Sequence, residues 1–172
     1  MSKLRDTKTL TVAAMLTALG IILGFFKIPI NQLIEIRFGS LPVEMAGMLF
    51  GPFVSGIVGA LTDIGGYIVK PTGPFFPGFT FSSIVGGIIF GVMLHGKKVT
   101  FLRVLATQGI YNLIVGLILN SYWLNMLYFQ KGFFVTAIAR LPREIIMLPI
   151  SSIMFYALVK VFGKMRISEL AR

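Results

Sequence analysis

The stretch LPVEMAGMLFGPFVSGIVGALTDIGGYIVKPTGPFFPGFTFSSIVGGIIFG, residues 41–91, decides the fold class. It is three apolar runs held apart by two kinds of break. Leu41–Phe50 opens through Pro42 and closes at Gly51-Pro52, Pro52–Val69 is glycine-rich, and Phe79–Leu94 follows after KPTGPFFPGF. That last segment carries three prolines in ten residues, which a helix interior does not tolerate. Crossing a hydrocarbon core takes about 20 apolar residues in a helix. The second and third runs, of 18 and 16 residues, are read as spans, and the first, of ten, is predicted to be a short or tilted helix.

The same pattern continues on both sides. Thr9–Phe26 is an unbroken apolar run after the basic start Lys3, Arg5 and Lys8. It is long for the apolar region of a signal peptide, and no small-residue cleavage site follows it. Leu102–Leu127 and Ile138–Phe162 complete a set of six spans. Hydrophobic residues make up 56% of the 172 residues and charged residues 13%, with a mean hydropathy of +0.88. A soluble domain carries about 25% charged residues, so a soluble enzyme and a disordered chain are both disfavoured. The expectation is an all-α integral membrane protein, a compact bundle of six transmembrane helices forming a single domain over residues 1–172. The absence of cysteine excludes disulfides, a thiol nucleophile and thiolate metal sites, and one histidine argues against a histidine metal cluster. The net charge of +10 would suggest nucleic acid in a soluble protein. Here the basic residues stand at the ends of apolar runs, which fits a membrane and not a nucleic acid.

Six spans place both termini on one side. Lys3, Arg5, Lys8, Lys97, Lys98, Arg103, Lys160, Lys164, Arg166 and Arg172 fall there, ten of the sixteen Lys and Arg. The bias predicts cytoplasmic termini. Lys27, Arg37, Lys70, Lys131, Arg140 and Arg143 remain for the outer face, with Glu35, Glu44 and Glu144 as the main acidic balance. A topology signal does not need that outer excess; an anionic ligand arriving from outside would use it.

Several constellations carry chemistry, each beside a plainer alternative. Small residues recur four apart at Ala14/Ala18, Gly20/Gly24, Gly47/Gly51 and Gly87/Gly91. Such pairs let helix backbones approach closely in lipid, either within the bundle or, for Ala14 and Ala18, against another membrane subunit. Gln108, Asn112, Gly116, Asn120 and Trp123 form one stripe of the fifth span. They either tie helices together by hydrogen bonds or line a ligand cleft, where Asn120 offers donor and acceptor and Trp123 a stacking face. Asp63, Tyr67 and Lys70 share a face of the third span. An intramembrane carboxylate is a functional candidate by default, against an ion-pair or capping role. Phe75, Phe76 and Phe79 in the proline-rich loop suit either an interfacial belt or a lid over a flat ligand. In the opening of the sixth span, ARLPREI, Arg140 and Glu144 can pair while Arg143 points elsewhere, and Pro142 is expected at the start of the helix. The arginines either snorkel or present guanidinium forks to carboxylates. No P-loop, HExxH or GxSxG motif is present, and six spans of this size enclose a pocket but hardly a gated pathway.

The segment 41–91, LILNSYWL at 117–124 and IARLPREIIMLPI at 138–150 together resemble the substrate-binding S components of energy-coupling factor (ECF) vitamin transporters, folate branch. The shared features are a Gly-Pro after an apolar helix, a D-x-x-G step, P-x-G-x-F-x-P-G-F and N-x-x-W, and the likeness covers nearly the whole chain. The sequence Ala14-Met15-Leu16-Thr17-Ala18 looks like the AxxxA element with which that family meets its transmembrane coupling subunit. The resemblance implies six helices and a pocket near the outer face under the loops joining spans one to two and three to four. It also implies two cytoplasmic ATPases as partners beside the coupling subunit, location in a bacterial cell membrane, and no enzyme activity or cofactor of the chain's own. For folate, Trp123, Phe75, Phe76 and Phe79 would stack the rings. Asn120 would read the pterin edge, with Asp63 and its neighbour Tyr67 as further candidates. Lys70, Arg37, Arg140 or Arg143 would hold the tail carboxylates. Other vitamin branches use the same scaffold. A self-sufficient channel or secondary transporter, and a membrane enzyme acting on lipid head groups, are the rival classes.

Overall fold

The computed structural model describes residues 7–31, 34–71, 75–129 and 133–163. The elements run α1 (Thr7–Phe25), β1 (Lys27–Asn31), β2 (Ile34–Arg37), α2 (Leu41–Phe50), α3 (Pro52–Val69), α4 (Pro77–Leu94), α5 (Phe101–Leu127) and α6 (Phe133–Gly163). Among the described residues, α1, α3, α4, α5 and α6 are long and apolar enough to cross a membrane, and α2 is a shorter apolar sixth helix. The chain is a multi-pass helical membrane protein. The basic residues Lys3, Arg5, Lys131, Lys164, Arg166 and Arg172 lie outside the described residues.

Proline starts three of the helices. Pro42, Pro52 and Pro77 each fall in a first turn, where the missing N–H costs no hydrogen bond and the fixed φ already suits a helix. Between α2 and α3 the chain turns on Gly51 alone, at φ +92°, a conformation that side chains avoid. The fourth helix begins at Pro77, so Phe79 belongs to its first turn and not to the preceding loop.

Ten residues of α2 cannot match a bilayer, and the fold explains why they need not. Eight of them are buried, because α2 is enclosed by the other helices. Val43, Ala46 and Phe50 pack with Ala13, Val54 and Val58 of α1 and α3. Leu41 and Met45 pack with Phe90, Leu94, Val104 and Phe155 of α4, α5 and α6. A helix apolar on every side is a buried helix.

Glycine sets how closely the first four helices approach. A Cβ on Gly87 would collide with the Ser55 carbonyl, and one on Gly91 with the Pro52 backbone. One on Gly59 would stand 2.5 Å from the Ser83 carbonyl oxygen, and one on Gly47 would stand 2.9 Å from the Gly91 nitrogen. Gly47, Gly87 and Gly91 therefore serve the bundle's own packing. The second half is built differently. The middle of α5, Asn112–Leu119, winds as a π-helix, and a second π turn covers Asn125–Phe129. The last helix begins at Phe133, so Pro142 lies inside it, as does Pro149, and does not mark its start. The apolar FFVTAIA stretch ahead of it carries the helix through, despite the ladder bond that a proline removes.

Between α1 and α2 the chain forms a two-stranded antiparallel ribbon. Ile28 faces Ile36 and Pro29 faces Glu35, with a register shift between Pro29 and Asn31. This ribbon lies at the end of the bundle opposite the start of α1 and the end of α6, as do the C-terminal ends of α3 and α5.

Candidate ligand-binding site

At that same end a cavity of about 700 Å³ opens between the helices, within the roughly 300–1,000 Å³ usual for small-molecule sites. Its wall is assembled from helix ends that converge there: the C-terminal parts of α1, α3 and α5 and the N-terminal parts of α2, α4 and α6. Gly24, with nothing within 4 Å of a built Cβ, leaves the α1 side open.

Three cations, Lys70, Arg140 and Arg143, and two carboxylates, Asp63 and Glu144, line the cavity. Asp63 accepts a 2.7 Å hydrogen bond from the Thr80 hydroxyl of α4. Ser83, one turn further along α4, is a second hydroxyl partner of the same carboxylate. Arg140 and Glu144 pair at 3.5 Å along α6, each about 15% exposed. Arg143 lines the cavity as well, so the two arginines of one helix turn face the same space.

The α5 stripe divides by depth. Gln108 donates a 2.8 Å hydrogen bond to the buried carboxylate of Glu44, and Asn112 donates at 3.2 Å to the Glu144 carbonyl. Both tie helices together, although both also border the cavity. Gly116 does make room, but for Glu144: a Cβ there would lie 2.5 Å from its carboxylate oxygen. Asn120, nearer the mouth, lines the cavity.

Aromatic rings roof the mouth. Phe75, 47% exposed, packs against Tyr67 at 5.1 Å between ring centres with the rings tilted by 58°, and both border the cavity. Phe76 contacts Phe79 at 6.0 Å and Trp123 at 5.4 Å. Trp123 is not a lining residue; it stands behind Phe76, its indole N–H donating 3.1 Å to the Ser82 hydroxyl. Residues 72–74, the crown of the proline-rich loop, lie outside the described residues, and Arg37 stands in β2 with its side chain outside what is described. Ala14 and Ala18 are remote from the cavity, on an exposed face of α1 that also carries Met15 and Ile22.

Of the expected ligand contacts, the cavity thus gathers Asp63, Tyr67, Lys70, Phe75, Phe76, Phe79, Asn120, Arg140 and Arg143. The sequence reading left Glu144 as a partner of Arg140 and treated Glu44 as an outer charge. Glu44 is in fact 1% exposed, beneath the cavity floor. The rule that made Asp63 a candidate, a carboxylate inside an apolar helix, applied equally to both.

No three histidine or acidic side chains that could hold a metal ion come together among the described residues. A cavity of this size at one end of a small helical bundle can hold a small-molecule ligand. This is the build of a capture subunit, and the chain belongs to the substrate-specific components of ECF transporters, a family that matches it over residues 8–159. Members are transport components and not enzymes.

Within that family the likeness narrows. The chain is 38% identical over 164 residues to the folate transporter FolT of Clostridium novyi (strain NT), covering 95% of each chain. It is 29% identical over 150 residues to FolT of Leuconostoc mesenteroides, covering 84% of this chain and 80% of the relative. A crystal structure of FolT bound with folic acid superposes with a TM-score of 0.79 at 30% identity, over 89% of this chain and 93% of the other.

Proposed function

We propose that this chain is the folate-capturing subunit of an ATP-driven ECF importer. The observation that carries the reading is the cavity's composition. Flat aromatic faces and three cations share one enclosed space, in a chain whose relatives are folate transporters. Folate has the matching parts: a pterin ring rich in donors and acceptors, an aminobenzoyl ring, and a glutamate tail with two carboxylates. Phe75, Phe76, Phe79 and Tyr67 sandwich the rings. Asn120 and Asp63 read the pterin edge. Lys70, Arg140 and Arg143, with Arg37 as a further candidate, hold the tail. Trp123 contributes by bracing Phe76, one ring removed from the ligand.

The decisive experiment is calorimetric titration of the purified protein. Saturable sub-micromolar binding of folate, without comparable binding of riboflavin, thiamin or biotin, is the expected result. No saturable folate binding, or tighter binding of another vitamin, overturns the reading. Binding also quenches the single tryptophan through energy transfer to the pterin.

The cavity faces the cell exterior and both termini face the cytoplasm of a bacterial cell, as the distribution of Lys and Arg supports. The chain lacks cysteine, so Pro71→Cys and Lys98→Cys are unique labels at opposite ends. An impermeant maleimide added to intact cells is expected to modify the first and spare the second; the reverse inverts the topology. The exposed Ala14 and Ala18 face of α1 docks the coupling subunit, which carries two ATPases. Ala14→Arg is expected to abolish co-purification of the ATPases while leaving folate binding to the isolated subunit unchanged. Retained co-purification moves the docking face elsewhere.

A further inference from the structure

We propose that Glu144 is a specificity-determining residue that limits how much negative charge the cavity accepts. It occupies one side of the Arg140 guanidinium from within the chain, so an incoming carboxylate shares that cation with a carboxylate already in place. The inference rests on the folate reading above and goes beyond it.

Glu144 is held from three directions. One turn back on α6, Arg140 pairs with its Oε1 at 3.5 Å. From α5, the Asn112 amide grips its backbone carbonyl at 3.2 Å. Opposite, Gly116 in the π-helical stretch supplies a notch: a Cβ at that position would be 2.5 Å from Oε2 and 2.7 Å from the carboxyl carbon. The carboxylate therefore rests against bare backbone, in a place no other residue type would leave open. It still borders the cavity together with Arg140, Arg143 and Lys70.

A carboxylate parked among ligand-binding cations serves two ends. Without ligand it neutralises part of a dense positive cluster in a low-dielectric setting, where uncompensated charge is expensive. With ligand it repels each further anionic group. Like charges several ångströms apart, at an effective dielectric of about 20, change affinity by about tenfold or more. The cavity then discriminates by tail charge, admitting a short dicarboxylate tail more readily than an extended polyanionic one.

The test measures the affinity of the purified protein for three probes that share the pterin–aminobenzoyl system: pteroate, which lacks the glutamate, folate, and folyl triglutamate. Glu144→Gln is expected to tighten folate about tenfold and the triglutamate by more, with pteroate changing least. The gain shrinks as salt rises. Gly116→Ala keeps every charge but pushes the carboxylate off its notch toward the cavity. It is expected to act in the opposite sense, weakening the triglutamate more than pteroate, and it carries the comparison if Glu144→Gln does not fold. Ratios between probes that stay the same in both variants overturn the proposal. So does an equal loss for all three probes in Glu144→Gln, which would make Glu144 a reader of the shared rings. If the unaltered protein binds none of the three, the folate reading itself fails, and that result is visible before any variant is made.

Discussion

The seam between α3 and α4 and the wall formed by α5 and α6 border the same cavity but obey different packing rules. Along the seam, Gly87 and Gly91 bring backbone against backbone, with Gly59 and Gly47 extending the contact. Lipid gives helices no hydrophobic reason to associate, so that closeness is what holds them. The wall instead carries a π-helical stretch, two internal prolines, two arginines and most of the interhelical side-chain hydrogen bonds named above. Irregular backbone of these kinds recurs at functional sites. The molecule thus joins a tightly packed seam that must not deform to a less regular wall, and side chains of both line the cavity.

The sharpest way to break this contrast is Gly91→Ala. The new methyl meets the backbone of Gly51 and Pro52, and backbone cannot rotate away as a side chain can. A loss of about 3 kcal/mol is expected, at the upper end for overpacking. It would be read as a lowered detergent unfolding midpoint and a loss of monodisperse protein on size exclusion. A stable variant would show that the seam is more compliant than the wall.

Gln108→Leu comes next and probes where the two regions meet. Gln108 of α5 is the hydrogen-bond donor to Glu44 of α2, and both are buried. Removing the donor while keeping the carboxylate leaves a buried acceptor unsatisfied, a cost of about 2 kcal/mol. Glu44→Gln in the same background is expected to recover part of the lost unfolding midpoint, since an amide is cheaper to bury than an acid. No recovery would mean that the pair contributes little.

How much of this was legible beforehand depends on which force decides each element. Spans were legible because bilayer thickness fixes their length and Gly-Pro breaks fix their limits. The ribbon was not read, although Ile34-Glu35-Ile36-Arg37 alternates with a period of two; four residues are too few to stand out beside runs of twenty, and Pro29 argues against a strand. The start of the last helix is expected near Ile138 with Pro142 at its entry but falls at Phe133, because a proline signals a helix start only when nothing before it is strongly helical. The cavity residues were legible as chemical types: cations, an amide, aromatics and one carboxylate. Their depth was not, because it depends on which neighbour fills which gap. Trp123 went behind Phe76, and the space at Gly116 went to Glu144.

Lys70→Gln has a smaller effect and separates the exposed rim from the interior of the wall. Lys70 caps α3 at the cavity mouth and is exposed, so its pull on a carboxylate is screened. Folate affinity is expected to fall about fivefold at low salt and less at high salt, whereas loss of the half-buried Arg143 should depend less on salt. Equal salt dependence for both would place the two residues in the same dielectric environment.

The smallest change repeats the first substitution on the other side of the cavity. Gly109 lies in the regular part of α5, and a Cβ there would sit 3.7 Å from the Leu148 methyl of α6, an ordinary contact with a side chain that can move. In Gly109→Ala the local gain in helix propensity, at most about 1 kcal/mol, is not cancelled by a clash. The expected result is an unfolding midpoint equal to or slightly above that of the unaltered protein, with folate affinity unchanged. The same exchange of hydrogen for methyl is therefore expected to disrupt the seam and leave the wall intact. If Gly109→Ala were as damaging as Gly91→Ala, glycine would be needed on both sides for the same reason, and the contrast between seam and wall would not hold.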